Sequence, residues 1–292
     1  MRCDAMRSDA QRLAQSSHRL RITMLSPTFT VTRLDTTPPE FIKSQIMQMV
    51  IDYVTDISMV AIAPSNPLYP LYQYGVGHEV HQYLQAMDGS RGLAVELIVA
   101  LDAEDPSVVI GFLLCLPVTE APAQDAPSQD RLTEHPTHQQ PAVLPDVDRA
   151  CSVAYMAVQT ARRRQGVARA MLKLMTDRYP HAELACFVPK VPVFEALGFQ
   201  VLGARGPQVL MNTRTRQSEG LLAVLDVAPI YNSLEVRQIH SYLLKQHGKR
   251  AMTDAEKQRD RHIDHLTRQA RLFVNDRLGE AGGQKLSGPR LV

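Results

Sequence analysis

The chain has 292 residues, with 32 Lys and Arg against 30 Asp and Glu and a formal net charge of +2. Hydrophobic residues make up 45% and charged residues 21%, enough for one large domain or two small ones with a sizeable core, and this excludes a wholly disordered chain. Near-balanced charge, 5% aromatics and no Trp argue against a polyanion-seeking surface or a base-stacking platform, so nucleic acid is not an expected partner.

Residues 1–28 carry no apolar centre of the kind a secretory signal needs and read as a disordered tail, or as an over-extended start with Met24 as initiator. Residues 29–34 (FTVTRL) alternate as a half-buried strand does. Past Pro38 and Pro39, the positions Ile42, Ile46, Met49 and Val50 repeat at helical spacing. Residues 63–77, rich in Pro, Gly and Tyr, read as a long irregular loop, with a second helix over 78–87. Two apolar runs, 92–101 and 108–118, are separated by Asp102-Ala103-Glu104-Asp105-Pro106 and predict a hairpin of buried strands. Residues 119–148 shift abruptly to Pro, Gln, Asp and His with hardly any large apolar side chains, a composition that cannot bury enough surface to order itself, and are expected to be a mobile insertion.

Strand character resumes at 151–158 (CSVAYMAV), followed by a basic turn over 159–166 and a helical pattern over 167–179. A strand over 181–188, a short helix over 191–197 stopped by Gly198, and a hairpin through 199–202 and 209–211 complete the pattern. Residues 215–292 read as a mainly helical C-terminal extension, with one more strand over 221–227. Its first helix ends at Gly248; a second, opened by the capping box Thr253–Glu256, carries an apolar stripe of Ile263, Leu266, Ala270 and Phe273. That stripe suits either docking back on the domain or contact with a partner, including a second copy.

The cysteines Cys3, Cys115, Cys151 and Cys186 form no C-x-x-C pair, so zinc-site spacing is missing and a disulfide framework is not expected. No apolar run reaches the roughly 20 residues needed to cross a bilayer. Together these features predict a cytoplasmic protein with no membrane contact and no metal.

The chemistry concentrates in Met156-Ala157-Val158-Gln159-Thr160-Ala161-Arg162-Arg163-Arg164-Gln165-Gly166-Val167-Ala168, where a strand ends, a basic turn follows and a helix opens on small residues. The first turn of a helix presents unpaired N–H groups and the positive end of its dipole. Gly166 and Ala168 let an anion approach the backbone, and three arginines add charge. The turn is neither a Walker loop nor a dinucleotide-binding G-x-G-x-x-G.

The R-x-x-G-x-A run of Arg163, Gly166 and Ala168, between a strand and a helix, resembles the acyl-CoA signature of the GNAT superfamily of N-acyltransferases. The preceding Met156-Ala157-Val158 is similar to that family's strand end, and Phe194-Glu195-Ala196-Leu197-Gly198-Phe199 to its Y-x-x-x-G-F element. The resemblance covers residues 29–214. It implies an α/β fold: a central mixed, mostly antiparallel sheet whose fourth and fifth strands splay apart, flanked by helices. It also implies acetyl-CoA as cosubstrate and direct attack by an acceptor amine. The pantetheine arm would pair with Met156, Ala157 and Val158, and the pyrophosphate would sit on Arg163, Arg164, Gln165, Gly166, Val167 and Ala168. The backbone N–H of Val158 would face the developing oxyanion.

Three positions depart from the family pattern. Phe194 stands where many members carry the tyrosine that protonates the leaving thiolate, Ser152 where some carry a glutamate base, and Phe187 where an asparagine is common. Glu96 and Tyr155 are the substitute candidates for catalysis, and Tyr72, Tyr74 and His78 the candidates for lining an acceptor site. The departures also admit a second function, an acyl-CoA-binding regulatory or interaction module weakened in catalysis.

Overall fold

The computed structural model describes residues 28–119, 149–279 and 290–291. The readings of residues 1–27 as a tail and of most of 119–148 as an insertion, and the thiol of Cys3, lie outside the described residues.

The first half is built from β1 (Phe29–Leu34), α1 (Glu40–Asp52), the short α2 (Val54–Ile57), α3 (Tyr69–Ala86), β2 (Glu96–Asp102) and β3 (Val109–Pro117). Then come β4 (Ala150–Val158), α4 (Val167–Arg178), β5 (His181–Cys186), α5 (Val191–Glu195), β6 (Gln200–Arg205) and β7 (Gln208–Asn212). The C-terminal part holds β8 (Leu221–Leu222), α6 (Ala228–Tyr231), α7 (Leu234–Leu278) and β9 (Arg290–Leu291).

The main sheet has seven strands in the order β1-β2-β3-β4-β5-β7-β6. Every pairing in it is antiparallel except β4 with β5. Strand periodicity sorts the apolar side chains between two layers. Leu97 and Val99, with Phe112 and Leu114, pack under α1 and α3. Ile98 and Ala100, with Leu113 and Cys115, pack instead under Met171 and Met175 of α4.

The fourth and fifth strands are joined only at Ala150–His181, Cys151–Ala182 and Ser152–Glu183. Beyond Ser152, β4 runs on for six residues, Val153 to Val158, with β3 on one side and, among the described residues, no strand on the other. On the β3 side the register moves from Leu114–Tyr155 to Cys115–Val153, which leaves Ala154 as the extra residue of a bulge. A bulge bends its strand and increases its twist, turning the rest of β4 away from β5. The expected splay is present, and the bulge is its local cause.

Two elements differ from expectation. The supposed loop 63–77 is largely helix, because α3 starts at Tyr69 with Pro70 in its first turn, where proline costs nothing. Gly75 is tolerated there for packing: a Cβ on it would lie 2.6 Å from the Tyr231 hydroxyl. The two C-terminal helices run as one element interrupted at Gly248, whose φ of 79° and ψ of 158° break the helical path. The last part of the apolar stripe, Ala270 and Phe273, docks on the domain. Ala270 and Val274 are 0% and 1% exposed and belong to the same core cluster as α4, β5 and β7.

Candidate active site

Where β4 and β5 part, a cavity of about 620 Å³ opens. It is walled by Val153 to Val158 on one side and by Leu184 to Phe187 on the other, and it ends at the first turn of α4. Gln159 N donates to Ile110 O at 2.9 Å, which fixes the alternation of this stretch. Backbone groups of Ala157 point with Gln159 toward β3, while those of Met156 and Val158 turn into the gap. The unpaired edge of β4 therefore offers N–H and C=O groups to an extended ligand.

The turn from Gln159 to Gly166 closes the end of the cavity. Arg164 (φ 64°) and Gly166 (φ 88°) both hold left-handed backbone, which curls the chain around the opening. No side chain caps α4, so the amides of Val167, Ala168 and Arg169, all lining the cavity, have no helical partner. A Cβ on Gly166 would meet nothing within 4 Å, which makes the space in front of this turn open rather than packed. Arg163, Arg164, Gly166, Val167 and Ala168 all line the cavity, as expected for an anion cradle; Gln165 does not, its amide donating back to Ala161 O at 3.0 Å.

Three further residues complete this end. Tyr53 receives the Thr160 amide at 2.9 Å and lies under Arg163, whose guanidinium stands 5.1 Å from the ring centroid. Asp56 bonds Arg163 at 3.1 Å and Lys190 at 3.0 Å. Burial alone would push the Asp56 carboxyl up, but the hydrogen bonds and charges of Lys190 and Arg163 outweigh it and hold it below the usual carboxylate range. Arg163 Nε also reaches Val158 O at 3.2 Å, tying the cradle to the end of the open strand. Sequence reasoning missed Tyr53, Asp56 and Lys190. They come from the junction of α1 and α2, from α2 and from the turn after β5, and nothing local marks them. Arg162 also lines the cavity, and its guanidinium forms an ion pair with Asp102.

The candidate catalytic residues divide. Tyr155 lines the cavity. Glu96 does not: its carboxylate accepts from the Tyr179 hydroxyl at 2.5 Å, Arg178 Nε at 3.0 Å and Arg33 at 3.4 Å. Those bonds occupy it in a brace between β1, β2 and the end of α4, and its assignment as a base is corrected on that ground. Tyr74 and His78 stack with ring centroids 5.6 Å apart and, with Tyr72, lie outside the cavity lining. The cause is the helix: the three sit on α3 rather than on an overhanging loop, and Tyr72 packs beside Ile62, Leu68, Leu243 and Met252. Phe194 lines the cavity and meets Phe199 edge-on at 6.1 Å, so this part of the wall is an apolar ring. Phe187 is also in the lining. Cys186 lies in the wall as well, with burial pushing its thiol up to about 12.

The sheet order, the single parallel pair, its splay and the turn that caps the opening make this the GNAT type of fold. Among solved structures, the chain is similar to the histone acetyltransferase HPA2 and related acetyltransferase of Corynebacterium glutamicum at 16% identity and a TM-score of 0.41, covering 64% of this chain and 96% of that one. It is likewise similar to the GNAT family N-acetyltransferase YhbS of Escherichia coli, solved with CoA, at 16% identity and a TM-score of 0.37 over 65% of this chain and 83% of that one. Arabidopsis thaliana NAA60, solved with acetyl-CoA, gives 13% identity and a TM-score of 0.37 over 63% and 98% of the two chains. No family model and no curated protein matches the sequence. Among the described residues no helix is long and apolar enough to cross a membrane.

Proposed function

We propose that the protein is an acetyl-CoA-dependent N-acetyltransferase acting on a primary amine. The observation that carries this reading is the continuity of the site: an uncapped helix start with a left-handed glycine stands at the mouth of a gap between two strands. The amides of Val167 and Ala168, with Arg163 and Arg164, bind the pyrophosphate by charge-assisted hydrogen bonds. The gap-facing backbone of Met156 and Val158 pairs with the pantetheine arm. Val158 adjoins the cradle through its bond to Arg163, so the thioester, at the far end of the arm, lies deeper. Strand geometry puts Met156 about 7 Å further in. The oxyanion donor is therefore assigned to the Met156 N–H in place of Val158, a preorganised dipole of the kind that contributes about 3 kcal/mol.

Attack is direct. A Cys186 thiol pushed up to about 12 is protonated at neutral pH and makes a poor nucleophile, which supports transfer without an acyl-enzyme. Phe194 supplies no proton, and a CoA thiolate leaves near neutral pH with little assistance.

Phe194 and Ser152 favour one other reading, a module that binds acyl-CoA without transferring the acyl group. Incubation with radiolabelled acetyl-CoA and primary amines separates the two. The enzyme reading expects amine-dependent release of free CoA thiol. Saturable acetyl-CoA binding with no release above the hydrolytic background would establish the module instead.

A further inference from the structure

Resting on the acetyltransferase reading, we propose that Asp56 sets the affinity for the cosubstrate by competing with the phosphates of acetyl-CoA for Arg163 and Lys190. Asp56 lies on α2, and its carboxylate reaches residues from both walls of the gap. Arg163, from the turn after β4, donates to one oxygen at 3.1 Å. Lys190, from the turn after β5, donates to the other at 3.0 Å and to the Asp56 backbone carbonyl at 3.2 Å. All three residues line the cavity, together with the uncapped start of α4. A carboxylate and a phosphate present the same kind of paired oxygens to a guanidinium or an ammonium, so one can take the other's place.

The three consecutive arginines are held to different degrees. Arg162 pairs with Asp102, whose side chain is only 9% exposed, and breaking that pair would strand a buried charge. Arg164 makes no ion pair among the described residues and lines the cavity. Arg163 stands between these cases, because the Asp56 side chain that holds it is 40% exposed. Ion pairs this open to water are each worth a factor of about five or less, so they exchange readily. A phosphate brings more charge and more acceptor oxygens than the carboxylate it displaces. The Arg163 guanidinium need not move in the exchange. Its Nε bonds Val158 O at 3.2 Å, and it stands 5.1 Å from the Tyr53 ring centroid. Burial alone would raise the Asp56 carboxyl, but Lys190 and Arg163 hold it below the usual carboxylate range, so the competitor is charged at neutral pH. Product CoA carries the same phosphates and is released with the help of the same competition.

The test is calorimetric titration of wild type and Asp56→Asn with acetyl-CoA, with CoA and with pantetheine, which lacks the phosphates. Asp56→Asn is expected to bind acetyl-CoA and CoA about tenfold more tightly, the sum of two freed ion pairs. Pantetheine is expected to gain nothing, and high salt is expected to shrink the gain by screening it. Asp56→Ala removes the same charge and is expected to show the same gain, which keeps the test open should one variant fail to fold. Lys190→Ala is expected to weaken acetyl-CoA binding more in the Asp56→Asn background than in wild type, because the lysine is then free. Equal or weaker acetyl-CoA binding by folded Asp56 variants overturns the inference and makes Asp56 a residue that only positions the two cations. A gain shared by pantetheine overturns it too, by showing a widened gap rather than freed cations, as does an equal Lys190→Ala loss in both backgrounds. Failure of wild type and every variant to bind acetyl-CoA overturns the acetyltransferase reading beneath it.

Discussion

Gly166 holds φ at 88°, and a side chain there would project into open space rather than into a neighbour. Gly166→Val therefore costs backbone strain of about 1–2 kcal/mol and fills the space in front of the amides of Val167 and Ala168. Thermal unfolding is expected to fall by a few degrees, with acetyl-CoA affinity at least tenfold weaker by calorimetry. Cys186 gives a second test. Intact mass after incubation with acetyl-CoA and no acceptor is expected to be unchanged, whereas an acetylated Cys186 would contradict direct attack. Glu79 connects stability to pH. Its folded carboxyl titrates above the unfolded one, so the folded state binds more protons between the two values and stability falls as pH rises through them. Glu79→Gln is expected to remove that loss, and chemical denaturation should find the variant more stable than wild type at pH 8 and the gain gone at pH 4.

Among elements, those whose signals are local were readable from the residues. The strand, turn and helix around Arg163, Gly166 and Ala168 sit within one short stretch, each with its own periodicity or glycine. The bulge at Ala154 and the loss of pairing after Ser152 depend on what β3 and β5 do far along the chain, so only family resemblance announced the splay. Composition misled over 63–77, because tertiary contact with Tyr231 rewards a glycine that helix propensity disfavours. Strand patterning put Glu96 within the first apolar run of the hairpin but says nothing of Tyr179, Arg178 and Arg33 converging on it. The C-terminal helix α7 behaves as part of the core. Val274→Asp buries an unpaired charge and is expected to cost roughly 4 kcal/mol or more, while exposed Arg271→Ala should stay within about 0.5 kcal/mol. Denaturant midpoints check both. A tolerated Val274→Asp would show α7 to be separable from the domain.

For the whole molecule, each layer serves the gap between β4 and β5. Helix α4 presents the cradle at its start and packs its Met171 and Met175 into the core behind it. On the opposite face α1 and α3 cover the sheet, and the Tyr231 hydroxyl rests against Gly75 of α3. Asp56 holds Arg163 and Lys190 together across the mouth. Acid should loosen this end: the Asp56 carboxyl, held below its usual range, stabilises the fold above the unfolded carboxylate pKa, and that contribution is lost as pH falls through the lower folded value. The decisive measurement is calorimetric titration of the purified protein with acetyl-CoA near neutral pH, alongside Gly166→Val. Saturable one-to-one binding to the wild type, at least tenfold weaker in the variant, is expected. No heat of binding to a folded wild type, or equal affinity in both proteins, would contradict the cradle and every step built on it.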